Sequence, residues 1–92
     1  MTYQVAVAAA AENDLATLPD TVQGRILEAL TGLDTEKRPP ASRELAGRLR
    51  GMRRLRVGDY RVSYTVEEET RQVNVWAVGH RREVYARPER RL

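Results

Sequence analysis

Two short runs concentrate the side chains able to do chemistry: "RLRVGDYR" at residues 54–61 and "GHRREVY" at 79–85. Arginines stay protonated at any working pH, so they stabilise negative charge building on a phosphoryl group but carry protons poorly. His80 and Tyr85 are the titratable residues suited to proton transfer, which contributes about 10² to 10⁴ in rate when the group is well placed. The chain has no cysteine, one histidine, no acidic cluster spaced for two metal ions and no glycine-rich phosphate loop. Nor does a serine or cysteine nucleophile stand beside the histidine. RNA makes such groups unnecessary: its own 2′-hydroxyl attacks the adjacent phosphate, and the catalyst need only orient, neutralise and move protons. The chemistry these residues support is therefore RNA cleavage without metal or cofactor. Trp76 adds a ring on which an unpaired base can stack. Each aromatic taken alone also has a structural reading, Trp76 as the cap of a small cluster and Tyr85 as core, and His80 alone would pass as a surface residue.

Positioning falls to a β-meander over residues 52–57, 60–66 and 72–80, joined by "GD" and "EEETR". A two-residue Gly58–Asp59 loop sets Val57 opposite Tyr60, Arg56 opposite Arg61, Leu55 opposite Val62 and Arg54 opposite Ser63. Alternation then puts Leu55, Val57, Tyr60, Val62, Tyr64 and Val66 on a core face and Arg54, Arg56, Arg61 and Ser63 on the other. If the next turn pairs Val66 with Val73, Val75 and Ala77 join the core while Asn74, Trp76 and Val78 fall on the arginine face. Strand order also brings "GHRREVY" beside Arg61, gathering Arg54, Arg56, Arg61, His80, Arg81 and Tyr85 at one end of the sheet, with Trp76 nearby. Like charges directly opposite on a sheet destabilise it, by up to about 1 kcal/mol. Arg56 and Arg61 thus call for an anion. The competing reading is a solvated, salt-bridged face, with Asp59 or Glu67 to Glu69 supplying the compensation.

The charge distribution favours a polyanionic partner. Residues 1–36 hold one basic residue against six acids, a balance of −5, whereas residues 37–92 hold fifteen basic residues against seven acids, a balance of +8. Fifteen of the sixteen basic residues are arginine, whose planar fork pairs bidentately with phosphate and stacks on bases. Codon bias in a GC-rich genome accounts for arginine over lysine, but not for its collection in one half.

The remaining segments supply the scaffold. "YQVAV" at 3–7 reads as a strand. Ala8, Ala11, Leu15 and Leu18 form a helical stripe with Glu12, Asn13 and Asp14 turned outward. Pro19 ends that helix and suits the first turn of the next, which runs to about Leu33 on the stripe Val22, Ile26, Leu30 and Leu33, with Leu27 alongside. "DTEKRPPASRE" breaks all periodicity and reads as a surface connection, while "SRELAGRL" leaves a helical turn undecided. The expectation is a single domain over residues 1–92, α+β in class, with a small antiparallel or mixed sheet of about four strands in the order β-α-α-β-β-β and a two-helix hairpin on one face. The N-terminal stretch lacks the basic start of a signal peptide and is broken by Glu12 and Asp14, so neither export nor a membrane span is expected and a cytoplasmic location is.

"RLRVGDYRVSYTV" and "VNVWAVGHRREVY", preceded by "DLATLPDTVQGRILEAL", resemble the RelE branch of the RelE/ParE toxin superfamily of type II toxin-antitoxin systems, over nearly the whole chain. The resemblance implies a ribosome-dependent endoribonuclease that cuts messenger RNA in the ribosomal A site, leaves a 2′,3′-cyclic phosphate and so inhibits translation. By position it assigns transition-state stabilisation to Arg61, assistance of the leaving 5′ oxygen to Arg81 and nucleotide stacking or orientation to Tyr85. The family also ascribes a proton-donating role to the second arginine, whereas on physical grounds Arg81 is electrostatic support and His80 or Tyr85 stands nearer the proton. Arg53, Arg54 and Arg56, with Trp76, make up the RNA-binding set. Family members often carry lysines on the strand that here reads Met52, Arg53, Arg54; Arg54 keeps one such charge and Met52 does not. The implied partners are a cognate antitoxin that orders as it wraps the toxin, in a toxin-antitoxin hetero-oligomer, together with the ribosome and mRNA. Two other readings stand beside this one: a ParE-like module that poisons DNA gyrase without cutting RNA, and a non-toxic homologue that only binds an antitoxin.

Overall fold

The computed structural model describes residues 2–47 and 51–80. Within them the order is β1 (Gln4–Val7), α1 (Ala9–Ala16), α2 (Asp20–Gly32), β2 (Ser42–Glu44), β3 (Met52–Val57), β4 (Tyr60–Glu67) and β5 (Gln72–His80). The sheet has five strands in the order β1-β5-β4-β3-β2. β1 runs parallel to β5 and every other neighbour is antiparallel, so the architecture is the mixed-sheet α+β fold expected, with one strand more than the four anticipated. No helix among the described residues is long and apolar enough to cross a membrane.

The extra strand is β2. It lies within the segment read as a surface connection and shows no periodicity because it contributes only Ser42, Arg43 and Glu44, opposite Leu55, Arg54 and Arg53. Its charges and shortness suit a sheet edge.

The two helices place Ala11, Leu15, Ile26, Leu30 and Leu33 against Leu55, Val62, Tyr64, Val73, Val75 and Val78, which together form one core on one face of the sheet. Full burial of each large aliphatic side chain contributes about 1.5–3 kcal/mol, so these stripes hold the hairpin in place. Pro19 stands at the start of α2 as the sequence requires, and its carbonyl accepts from Gln23 N–H at 2.9 Å. Leu27, beside the α2 stripe, remains 49% exposed. Tyr64 is fully buried, its hydroxyl donating to the Lys37 carbonyl at 2.8 Å; a buried phenol needs such a partner.

The β3–β4 register agrees pair for pair with the expectation, from Val57 opposite Tyr60 to Arg54 opposite Ser63. Gly58 takes φ 60°, the backbone sign that a tight hairpin turn demands at its first central residue. The β4–β5 pairing begins as expected with Val66 opposite Val73, but then shifts: Tyr64 faces Val75 and Ser63 faces Ala77, leaving Trp76 as the extra residue of a β-bulge. Beyond that point every side chain changes face. Val78 enters the core opposite Val62, and Ala77 turns to the outer face, the reverse of the alternation predicted for both.

α1 locks this irregular stretch. β1 ends at Val7, opposite Val75, and the Ala8 N–H donates to the Val75 carbonyl at 2.9 Å. Further along β5 no strand among the described residues meets that edge, and the Asp14 carboxylate accepts from the Val78 N–H at 3.0 Å instead. Asp14, expected to point to solvent, is therefore buried; it does for β5 what a neighbouring strand would have done.

Candidate functional site

On the sheet face away from the helices, alternation along β2, β3 and β4 brings Arg43, Arg54, Arg56 and Arg61 together. They line an open groove of about 480 Å³ whose wall includes Pro40, Ala41 and Leu45. Arg54 is buried, Arg56 exposed and Arg61 intermediate. One Arg61 terminal nitrogen, Nη1, donates to the carbonyls of Gly58 and Tyr60, each at 2.9 Å. The hairpin turn thus orients that guanidinium and leaves its other donors for a ligand.

The proposed carboxylate compensation is not found there. Among the described residues no carboxylate forms an ion pair with Arg43, Arg56 or Arg61; the ion pair present joins Arg38 to Glu68 at 2.8 Å. That pair sits at the opposite end of the sheet, where Glu68 also accepts from the Tyr3 hydroxyl at 2.7 Å. The Tyr3 hydrogen bond, followed by that from Arg38, holds the Glu68 carboxyl below the ordinary glutamate value.

The structure distributes the other candidates unevenly. Trp76 is half-buried on the groove side of the sheet, its indole N–H donating to Thr65 Oγ1 at 2.9 Å. Arg53 does not share the face of Arg54 and Arg56. It lies on the helix side, where Nε and Nη2 donate to Ser42 Oγ at 3.1 and 2.8 Å, so its guanidinium fastens β3 to β2. His80 is displaced by the bulge: it stands opposite Tyr60, not on the Arg61 face, and meets the Tyr60 ring edge-on at a centroid distance of 5.8 Å. Gly79, with no side chain, faces Arg61 instead. Arg81 and Tyr85 lie outside the described residues.

Two arginines that the sequence did not single out border this region. Arg43 is visible only once β2 is known to pair with β3. Arg25, on α2, packs its guanidinium over the hairpin turn, where a Cβ on Gly58 would meet Nη2 at 3.3 Å. With Arg56, Leu33, Leu55 and Val57, Arg25 also lines a second groove of about 490 Å³ on the helix side, so Arg56 and Ala41 are common to both grooves.

Residues 5–85 match the family described as the ParE toxin of the type II toxin-antitoxin system parDE. The chain is 33% identical over 92 residues to toxin RelG of Mycobacterium tuberculosis, spanning 95% of this chain and 100% of that relative. It is similar in structure to the toxin-antitoxin complex RelBE2 of the same organism, at TM-score 0.80 and 28% identity, covering 88% of this chain and 100% of the other. It also resembles a free-state mutant of Escherichia coli toxin RelE, at TM-score 0.78 and 27% identity, over 100% of this chain and 99% of that one. The fold is thus similar to that of these toxins, and the chain belongs to the RelE/ParE superfamily of type II toxin-antitoxin toxins, with RelE-like relatives.

Proposed function

We propose that this toxin is a ribosome-dependent messenger RNA endoribonuclease that cleaves in the A site by attack of the RNA 2′-hydroxyl on the adjacent phosphate, releasing the 5′ oxygen and a 2′,3′-cyclic phosphate. The observation that carries the reading is the groove lined by Arg43, Arg54, Arg56 and Arg61, in which Arg43, Arg56 and Arg61 have no carboxylate partner among the described residues. A polyanion entering it relieves the repulsion the sheet maintains. Arg61, held by the turn carbonyls, stabilises the charge that develops on the phosphorane oxygens, the kind of preorganised electrostatic contribution that gives large rate effects. Arg81 supports the leaving oxygen. His80 stands opposite Tyr60 and meets its ring edge-on, so proton movement falls to Tyr85. Arg54 and Arg56 hold the strand and Trp76 offers a stacking surface. A cognate antitoxin is the expected protein partner, as in the complex of the related RelBE2 pair, and its docking keeps the toxin off the ribosome.

Induction of the chain alone, with transcript 5′ ends mapped, tests this reading. Clustered cuts at one position within codons and halted translation are expected, both abolished by Arg61→Ala in a chain that still folds. The ParE name of the matched family favours a second reading, inhibition of DNA gyrase, which would show as DNA damage and filamentation with intact transcripts. Harmless expression would mark an inactive homologue.

A further inference from the structure

The outer face pairs arginine with arginine twice. Besides Arg56 opposite Arg61, β2 sets Arg43 directly opposite Arg54, and all four line the same groove. β2 sorts its charges by face: Glu44 lies opposite Arg53 on the helix side, and Arg43 opposite Arg54 on the groove side. A register shift of one residue would bring Glu44 opposite Arg54, a favourable pair; the observed register chooses the unfavourable one. Nothing about closing the sheet edge requires that.

We propose that Arg43 and Arg54 form a second phosphate subsite, so that the groove grips a single RNA strand at two backbone phosphates, one on the Arg56/Arg61 row and a neighbouring one on the Arg43/Arg54 row. This rests on the ribonuclease reading and deepens it. The rows are two residues apart along β3, about 6.8 Å at 3.4 Å per residue, a separation of the order of that between neighbouring phosphates on an extended strand. Guanidinium forks match phosphate oxygens bidentately. The groove volume of about 480 Å³ lies within the range of sites that enclose a small organic ligand, about 300–1,000 Å³. Pro40, Ala41 and Leu45 on its wall offer apolar surface to sugar or base between the two anions. Arg43 is exposed and makes no ion pair among the described residues, so it meets the strand without first breaking a bond to a carboxylate. It is a positioning residue, remote from the attacked phosphate.

The test measures binding of an uncleavable 2′-O-methyl single-stranded dodecamer across a range of salt, with wild type, Arg43→Gln, Arg43→Lys and Arg38→Gln. Each single-strand phosphate contact contributes about 0.7 to the slope of log K against log salt. Arg43→Gln is expected to lower the slope by that amount, Arg43→Lys to keep it, and Arg38→Gln, at the far end of the sheet, to leave it unchanged. A 2′-O-methyl dinucleoside monophosphate, with one phosphate, should bind wild type and Arg43→Gln equally. An unchanged dodecamer slope in Arg43→Gln, or an equal loss on both ligands, overturns the second subsite while leaving the ribonuclease reading intact. Loss of antitoxin binding with RNA binding preserved assigns Arg43 to the protein partner and overturns it too. A wild-type chain with no salt-dependent RNA binding overturns the two-phosphate grip, while the ribonuclease reading stands or falls separately on the transcript mapping.

Discussion

Replacing Arg56 by glutamine removes one member of the cross-strand arginine pair and should make the fold more stable while making the toxin worse. Arg56 is exposed and directly opposes Arg61. Opposed residues in an antiparallel pair have Cα atoms about 4.5–5.5 Å apart, and two unit charges about 5 Å apart repel by about 0.8 kcal/mol in water. The guanidinium groups can splay apart, which lowers this, while Arg43 and Arg54 on the same face add to it. A gain of about 0.5 kcal/mol follows, within the range measured for cross-strand pairs, or about 2–4 °C in Tm for a domain of this size. Glutamine keeps the first methylenes that line the grooves, so packing changes little. The assay is urea unfolding of wild type and Arg56→Gln in low salt and in 1 M salt, where the screening length falls to about 3 Å and the gain should vanish. RNA affinity, followed in parallel, should lose one phosphate's share of its salt dependence. Destabilisation in low salt, or a gain that survives 1 M salt, would refute the claim that the arginine face carries a repulsion released by an anion.

Asp14→Ala leaves the buried Val78 N–H without its 3.0 Å acceptor and should cost about 1–3 kcal/mol in urea unfolding; Asp14→Asn, which retains an acceptor, should cost less, and equal stability of all three chains would sink the assigned role. Gly58→Ala imposes a side chain at φ 60° and within 3.3 Å of Arg25 Nη2; a loss of about 1–2 kcal/mol is expected, and thermal unfolding checks it. Glu68, with its carboxyl held low chiefly by the Tyr3 hydroxyl and then by Arg38, supports the fold while ionised. Its contribution is present above the ordinary value of 4.5 and fades as the pH falls through the lowered one. Wild type should therefore lead Glu68→Gln in urea midpoint near neutrality, with the gap closing in acid; a gap independent of pH would refute this.

The hairpin that carries the arginines was legible because a two-residue turn fixes register, and register fixes which side chains share a face. The helices were equally readable from stripes at Ile26, Leu30 and Leu33, whose burial follows from their spacing. What escaped had no periodic signal. Three residues of β2 cannot show an alternation, so Arg43 was invisible until its partner strand was known. Asp14 is polar and its pattern turns it outward, but the end of β1 at Val7 leaves a backbone donor on β5 that the Asp14 carboxylate satisfies. For the site, Arg54, Arg56 and Arg61 followed from alternation, whereas His80 did not, because an unpaired residue in β5 reversed the phase ahead of it.

That unpaired residue, Trp76, works as a half-period shift in the strand. Upstream of it the odd-numbered valines Val73 and Val75 are in the core, and downstream the even-numbered Val78 takes that place. Pairing the strand at the same length without the bulge would exchange the inward and outward sets from 77 to 80, turning Val78 outward to stand opposite Arg61. The bulge therefore decides what stands opposite Arg61: with it, that place falls to Gly79, which has no side chain.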